Sequence, residues 1–211
     1  TQVLTFCQQF TFTKFTFGIW EPWEWICYFL LILTILVLFE RREMTVRKGF
    51  FFLGALILLL MEVPYHWGNE FIMIDVGQGD SILVVAPGWN QATLIDTGGL
   101  SDFASKEEWR RRKRKPQGVT TVIPALQAEG LSELSQVMLS HGDEDHVGNL
   151  QAIAQQIKIK EMVIGKGMEK LPLMQQLKRD YPSIRWKLVS SGNEWKWNQM
   201  KWQILWPKDT S

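Results

Sequence analysis

From Ser140 to Gly148 the chain reads Ser-His-Gly-Asp-Glu-Asp-His-Val-Gly, so His141, Asp143, Asp145 and His146 place four potential metal ligands within six residues. The apolar residues Val137, Met138 and Leu139 come directly before them and read as a buried strand. A strand ending in such a loop holds imidazoles and carboxylates at its carboxyl edge, where they can converge on one or two divalent cations. Imidazole suits zinc and its neighbours, while carboxylate suits harder ions, so this mixed set leaves manganese and zinc both open. The plainer reading is a polar turn facing water, but ordinary turns rarely concentrate two His and two Asp so closely.

Further carboxylates fall at the ends of other apolar runs. Residues 71–74 are apolar and lead into Asp75, then Val-Gly-Gln-Gly-Asp-Ser at 76–81, then a second apolar run at 82–86. Residues 92–95 lead into Asp96, followed by Thr97-Gly98-Gly99. Glycines in such tight loops adopt backbone geometry closed to other residues and let the chain approach a site closely. Asp80 and Asp96 join Asp145 as catalytic candidates, with Asp75, Gln78 and Ser81 as supporting residues. A buried Asp equally serves by accepting backbone N–H bonds, and for Asp75 and Asp80 that role competes with direct chemistry.

The elements that must position these groups alternate between strand and helix. Residues 87–90 (Pro-Gly-Trp-Asn) read as a hairpin turn. Residues 120–130 predict a helix closed by Gly130, and Leu150, Ile153, Ala154 and Ile157 recur at helical spacing. A strand is expected at 161–164, a helix at 171–179 and a strand at 201–206. Trp186, Trp195, Trp197, Trp202 and Trp206 alternate with polar residues, which favours a half-buried sheet face over a base-stacking platform. Arg110, Arg111, Arg112, Lys113, Arg114 and Lys115 form a basic run in a loop, suited to a phosphate backbone, to anionic lipid or simply to water.

The 211 residues carry a formal net charge of +1, which makes no global electrostatic statement. The charge is unevenly spread: residues 1–70 hold 5 Lys/Arg and 6 Asp/Glu, against 18 and 16 in residues 71–211. Cys7 and Cys27 provide no disulfide framework. Two apolar stretches, at about 25–39 and 49–65, predict a transmembrane helical hairpin over residues 23–66, although each is slightly short of a full span. Trp20, Trp23 and Trp25 sit where an interfacial aromatic belt belongs. Arg41, Arg42, Arg47 and Lys48 lie in or beside the connector at 40–48, which predicts a cytoplasmic loop and places residues 1–22 and those after 66 on the external side. The Thr/Phe alternation in residues 1–17 suits a strand or an interfacial segment equally well.

Taken together, Asp75-Val-Gly-Gln-Gly-Asp-Ser81, Leu94-Ile-Asp-Thr-Gly-Gly99 and Ser140-His-Gly-Asp-Glu-Asp-His-Val-Gly148 resemble, in order and spacing, the ComEC family of competence proteins. The resemblance is close over 71–150 and looser to 206. It implies an α/β fold in which the hairpin precedes a metallo-β-lactamase-like αββα sandwich occupying residues 67–211. It also implies a polytopic cell-membrane protein of DNA uptake, with DNA, other competence proteins and the lipid bilayer as partners. The implied activity is a metal-dependent nuclease that degrades the non-transported strand; a DNA-guiding scaffold and a hydrolase of another ester are the alternatives. By the same resemblance His141, Asp143, Asp145 and His146 form the metal-binding loop, Asp145 orienting water. Asp143 stands where the wider superfamily has His, which shifts the site toward harder metals. Asp96 supports the site from a neighbouring strand end, and Asp80 belongs to a loop particular to this branch. The superfamily completes its site with a later Asp and His, and no His follows His146. The chain is therefore expected to be a fragment, truncated within the domain and inactive alone.

Overall fold

The computed structural model describes residues 18–19, 22–41, 45–60, 66–99 and 118–206. The Thr/Phe segment at 1–17 and the basic run at 110–115 lie outside them. Two compact units divide at Pro64 and Tyr65.

The first unit contains helices α1 (Pro22–Glu40) and α2 (Val46–Leu60). The α1 helix has 19 residues and buries none of them. At 1.5 Å per residue it is about 28 Å long, close to a bilayer's hydrocarbon thickness. From Ile26 to Phe39 its sequence is apolar on every side apart from Thr34, and Ile26, Phe29, Leu30, Leu33 and Leu36 are all more than half exposed. Thr34 donates its hydroxyl to the Leu30 carbonyl at 2.8 Å, which satisfies the polar group inside the run. Among the described residues α1 is the one helix long and apolar enough to cross a membrane. The expected connector is shorter than 40–48, because Glu40 ends α1 and Arg47 and Lys48 fall within α2.

The second unit is built on a six-stranded sheet. Its strands are β1 (Glu70–Met73), β2 (Ile82–Val85), β3 (Ala92–Ile95), β5 (Gln136–Leu139), β7 (Glu161–Gly165) and β8 (Arg185–Val189), in the order β1-β2-β3-β5-β7-β8. The first two pairings are antiparallel and the remaining three parallel. The short strands β4 (Glu133–Leu134) and β6 (Lys158–Ile159) pair separately, as do β9 (Glu194–Trp197) and β10 (Met200–Gln203). Helices α3 (Ile123–Ala128), α4 (Glu144–Val147), α5 (Leu150–Ala154) and α6 (Pro172–Asp180) join the strands, with a π-helical turn at Gly118–Val122.

Register assigns each strand residue to a face. Ile72, Leu83, Leu94, Val137, Met162 and Trp186 form one cross-strand row. This row packs with Leu126, Leu150, Ile153, Met174 and Leu177 from the helices. Each fully buried Leu or Met there contributes roughly 1.5–3 kcal/mol. The adjacent row, Met73, Ile82, Ile95, Met138 and Val163, faces the opposite way. Trp195, Trp202 and Ile204 cover its Met138–Val163 end. Trp195 and Trp202 thus form a half-buried sheet face, as their alternation predicts, whereas Trp186 packs on the helix-covered face and Trp206 is exposed beyond the strands. Apolar groups on both faces explain why β5 reads as an uninterrupted apolar run.

This is one sheet with helices on one face and the first hairpin of a second layer on the other. At the β1 end of that second face, Phe71 and Met73 stay about two-thirds exposed. The mixed sheet with its helices accords with the expected α/β class.

Since β1, β3, β5, β7 and β8 all run the same way, their carboxyl ends share one edge. That edge of a parallel sheet is where ligands bind. It gathers Asp75–Asp80, Asp96–Gly99, Ser140–His146 and Lys166.

Candidate metal centre

The structure draws His141, Asp145 and His146 together: each offers one ligand atom, and the three atoms lie within 4.8 Å of one another. The imidazole rings are 3.9 Å apart between centroids. Where the sequence suggests a plain loop, Glu144–Val147 forms one helical turn, with Asp143 at its N-cap in extended geometry. The Asp143 carbonyl accepts the His146 and Val147 N–H groups at 2.9 and 3.0 Å. The turn thereby puts Asp145 and His146 in one helical first turn.

Behind the trio, each imidazole is held by its far nitrogen. His146 Nδ1 lies 2.9 Å from Asp96 Oδ2, and His141 Nδ1 lies 2.8 Å from Ser140 Oγ. The Nε2 atoms are left facing carboxylates, His146 toward Asp145 at 3.7 Å and His141 toward Asp143 at 3.5 Å. An imidazole whose second nitrogen is fixed by a carboxylate is the recurrent geometry of metal-binding His. The donor set therefore fits a divalent cation, and the residues that would hold one are His141, Asp145 and His146. Asp143, with its side chain 79% exposed, pairs with His141 and stands outside the convergent trio.

Asp96 is the hinge of this arrangement. It is 4% exposed and sits at φ +54°, in the left-handed region that Asp tolerates better than most residues. Its carboxylate accepts the Ser140 N–H at 2.8 Å and the Ser140 hydroxyl at 2.6 Å as well as facing His146. Ser81, buried as a support should be, donates to the Asp96 carbonyl at 3.3 Å.

The remaining sequence candidates stand outside the trio, and Asp75 and Asp80 brace the loops around it. Asp75 accepts the Gly77 N–H at 3.0 Å and closes the turn. Asp80 uses its carbonyl, which accepts the Gly98 N–H at 2.9 Å, while its side chain is exposed and makes no hydrogen bond or ion pair among the described residues. Gln78 is exposed. The glycines show why the loop needs them: a Cβ on Gly79 would lie 1.7 Å from the Asp145 carbonyl oxygen, and one on Gly99 would lie 2.0 Å from that of Glu144. These loops clasp the Glu144–Val147 turn directly.

Ser140, Thr97 and Asn149 are not among the sequence candidates. Thr97 donates its N–H and hydroxyl to the His146 carbonyl at 2.7 and 2.9 Å. Asn149 donates its side-chain amide to the Thr97 carbonyl at 3.0 Å. The sequence signal for Ser140 is only its place before His141. Beside the trio opens a cleft of about 410 Å³, lined by Ser140, His141, Asp143, Lys166, Met168, Leu171 and Trp206 among others. Its lining mixes polar and apolar groups.

A sheet edge bearing such a His/Asp centre defines the class, and comparison with known proteins agrees. The sequence pattern of the Metallo-beta-lactamase superfamily matches residues 74–183, more than half of the chain. The chain is 34% identical over 144 residues to ComE operon protein 3 of Bacillus subtilis, covering 67% of this chain and 18% of that protein. It is 28% identical over 134 residues to Recombination protein 2 of Haemophilus influenzae, covering 64% and 14% respectively. Competence protein ComA of Neisseria gonorrhoeae is 34% identical over 79 residues, covering 37% and 9%. The chain belongs to the metallo-beta-lactamase superfamily and, within it, to the ComEC family of competence proteins. It spans less than a fifth of the length of these relatives.

Proposed function

We propose that this chain is part of a DNA-uptake channel of the cell membrane, and that its second unit is an external metal-dependent nuclease degrading the strand that does not enter. The observation carrying this reading is the convergence of His141, Asp145 and His146 beside a cleft that also presents Lys166. A divalent ion held there, manganese or zinc, would polarise a phosphoryl oxygen and acidify water. Asp145, whose side chain is 41% exposed, orients the attacking water and takes its proton. Water adds to phosphorus as one P–O ester bond breaks, and the departing sugar oxygen takes up a proton that Asp145 gives back through solvent. The Lys166 ammonium offers a counter-charge to a neighbouring phosphate, while Leu171, Met168 and Trp206 offer a base an apolar wall. The basic run from Arg110 to Lys115 adds sequence-independent phosphate contacts.

A second reading, a DNA-guiding scaffold without catalysis, draws support from Asp143. Its place outside the convergent trio leaves three donors, few for a two-ion centre. Incubating the protein with labelled duplex DNA and manganese separates the readings. Cleavage abolished by Asp145→Ala supports the nuclease; DNA binding with no cleavage in either protein supports the scaffold. Neutralising residues 110–115 should flatten the salt dependence of DNA affinity, and an unchanged slope would remove that run from the interface.

A further inference from the structure

A second cluster of donors lies at the opposite end of the sheet. His66 forms a bridge with Gly88 in the β2–β3 turn, Glu70 opens β1, and Glu129 follows α3. All three sit at the edge away from the carboxyl ends of the parallel strands, and the metal centre uses none of them. One ligand atom from each falls within the same 4.8 Å limit.

His66 is only 8% exposed, and its ring is held in one tautomer. Nε2 lies 3.1 Å from the Glu129 carbonyl, which can only accept, so Nε2 carries the hydrogen. In the neutral ring Nδ1 is then a bare lone pair. Among the described residues its polar neighbour is the Glu70 carboxylate at 3.6 Å. A lone pair facing the Glu70 carboxylate is repulsive unless a positive charge stands between them. Burial and the Glu70 charge raise the Glu129 carboxyl above its usual range, with His66 opposing. A divalent cation would satisfy all three groups at once.

We propose that His66 Nδ1, Glu70 and Glu129 form a second divalent-cation site that fastens the start of the soluble unit to β1 and the end of α3. One nitrogen and two carboxylate oxygens suit a borderline ion such as zinc. Donors about 2.0–2.2 Å from such an ion lie roughly 3.4 Å apart, so a small side-chain movement closes the present cluster onto it. The backbone carbonyl behind Nε2 supplies the outer partner that metal-binding imidazoles need. The site is structural, and its ion stabilises the folded unit by binding to it alone.

Zinc titration by calorimetry tests this on the full chain with His141, Asp145 and His146 all changed to Ala. That protein should still bind one zinc ion and melt at a higher temperature with zinc than with chelator. Glu70→Gln and Glu129→Gln, added singly, should each weaken binding by at least about tenfold, the size even an outer partner of a ligand is worth. Glu70 is half exposed, so its substitution leaves the fold intact. In the otherwise native chain, Glu70→Gln should lower the zinc stoichiometry by one equivalent. Absence of zinc binding in the triple variant with a native circular dichroism spectrum, or unchanged affinity in both glutamine variants, overturns the proposal.

Discussion

At the scale of single residues, Asp96 carries more of the site than any ligand does. It fixes His146 by Nδ1, anchors Ser140 by two hydrogen bonds and so steadies His141, which leans on the Ser140 hydroxyl. An Asn in its place keeps the shape and tolerates φ +54°, but it brings an amide where an anion faced the imidazole. We expect Asp96→Asn to fold normally and to lower manganese or zinc affinity about 10–100-fold, as loss of an outer partner does elsewhere. Calorimetric titration beside a circular dichroism spectrum checks both halves; undiminished affinity would mean that Asp96 merely braces the backbone. Asp145 and Asp143 separate at the same scale. They are two positions apart in one motif, yet one converges with the imidazoles and the other projects into solvent.

At the scale of elements, the site is a clasp of two loops around a single helical turn. The Gly77–Asp80 loop and the Asp96–Gly99 loop both close on Glu144–Val147, and glycine is required where they touch. Gly79 sits at φ +72°, and its missing Cβ is the space the Asp145 carbonyl fills. Gly79→Ala should therefore cost more than the roughly 1–2 kcal/mol of left-handed strain and should also displace Asp145. Gly192, at φ +89° with nothing within 4 Å, isolates the strain alone. Denaturant melts and metal titration of both alanine variants should show destabilisation in each and weakened metal binding only at Gly79. The strands and the motif loops were legible in the sequence because apolar runs and donor spacing are local. The helical turn at 144–147 was read as loop, since four residues are too few to show a period. The Asp96–His146 contact joins positions 50 apart; the resemblance suggested its region, and only folding shows the partner. The His66–Glu129 pairing left no trace in the sequence, because neither residue belongs to a motif.

At the scale of the whole molecule, function depends on which side of the membrane the second unit occupies. Apolar groups surround α1, and Thr34 within it returns its hydroxyl to the Leu30 carbonyl, as a lipid environment demands. Arg41 follows its carboxyl end directly, and Arg47 and Lys48 lie in the first turn of α2. Short connections rich in cations favour the cytoplasmic side, and on the proposed topology the chain then returns and carries the second unit outside. A single cysteine tests this. Ser191 is exposed at the end of β8, and Cys7 and Cys27 are first replaced by Ser. In intact cells, Ser191→Cys should react with a membrane-impermeant maleimide at the rate seen after permeabilisation. Reaction only after permeabilisation would put the second unit in the cytoplasm, and strand removal before entry would then have to be carried out by another protein.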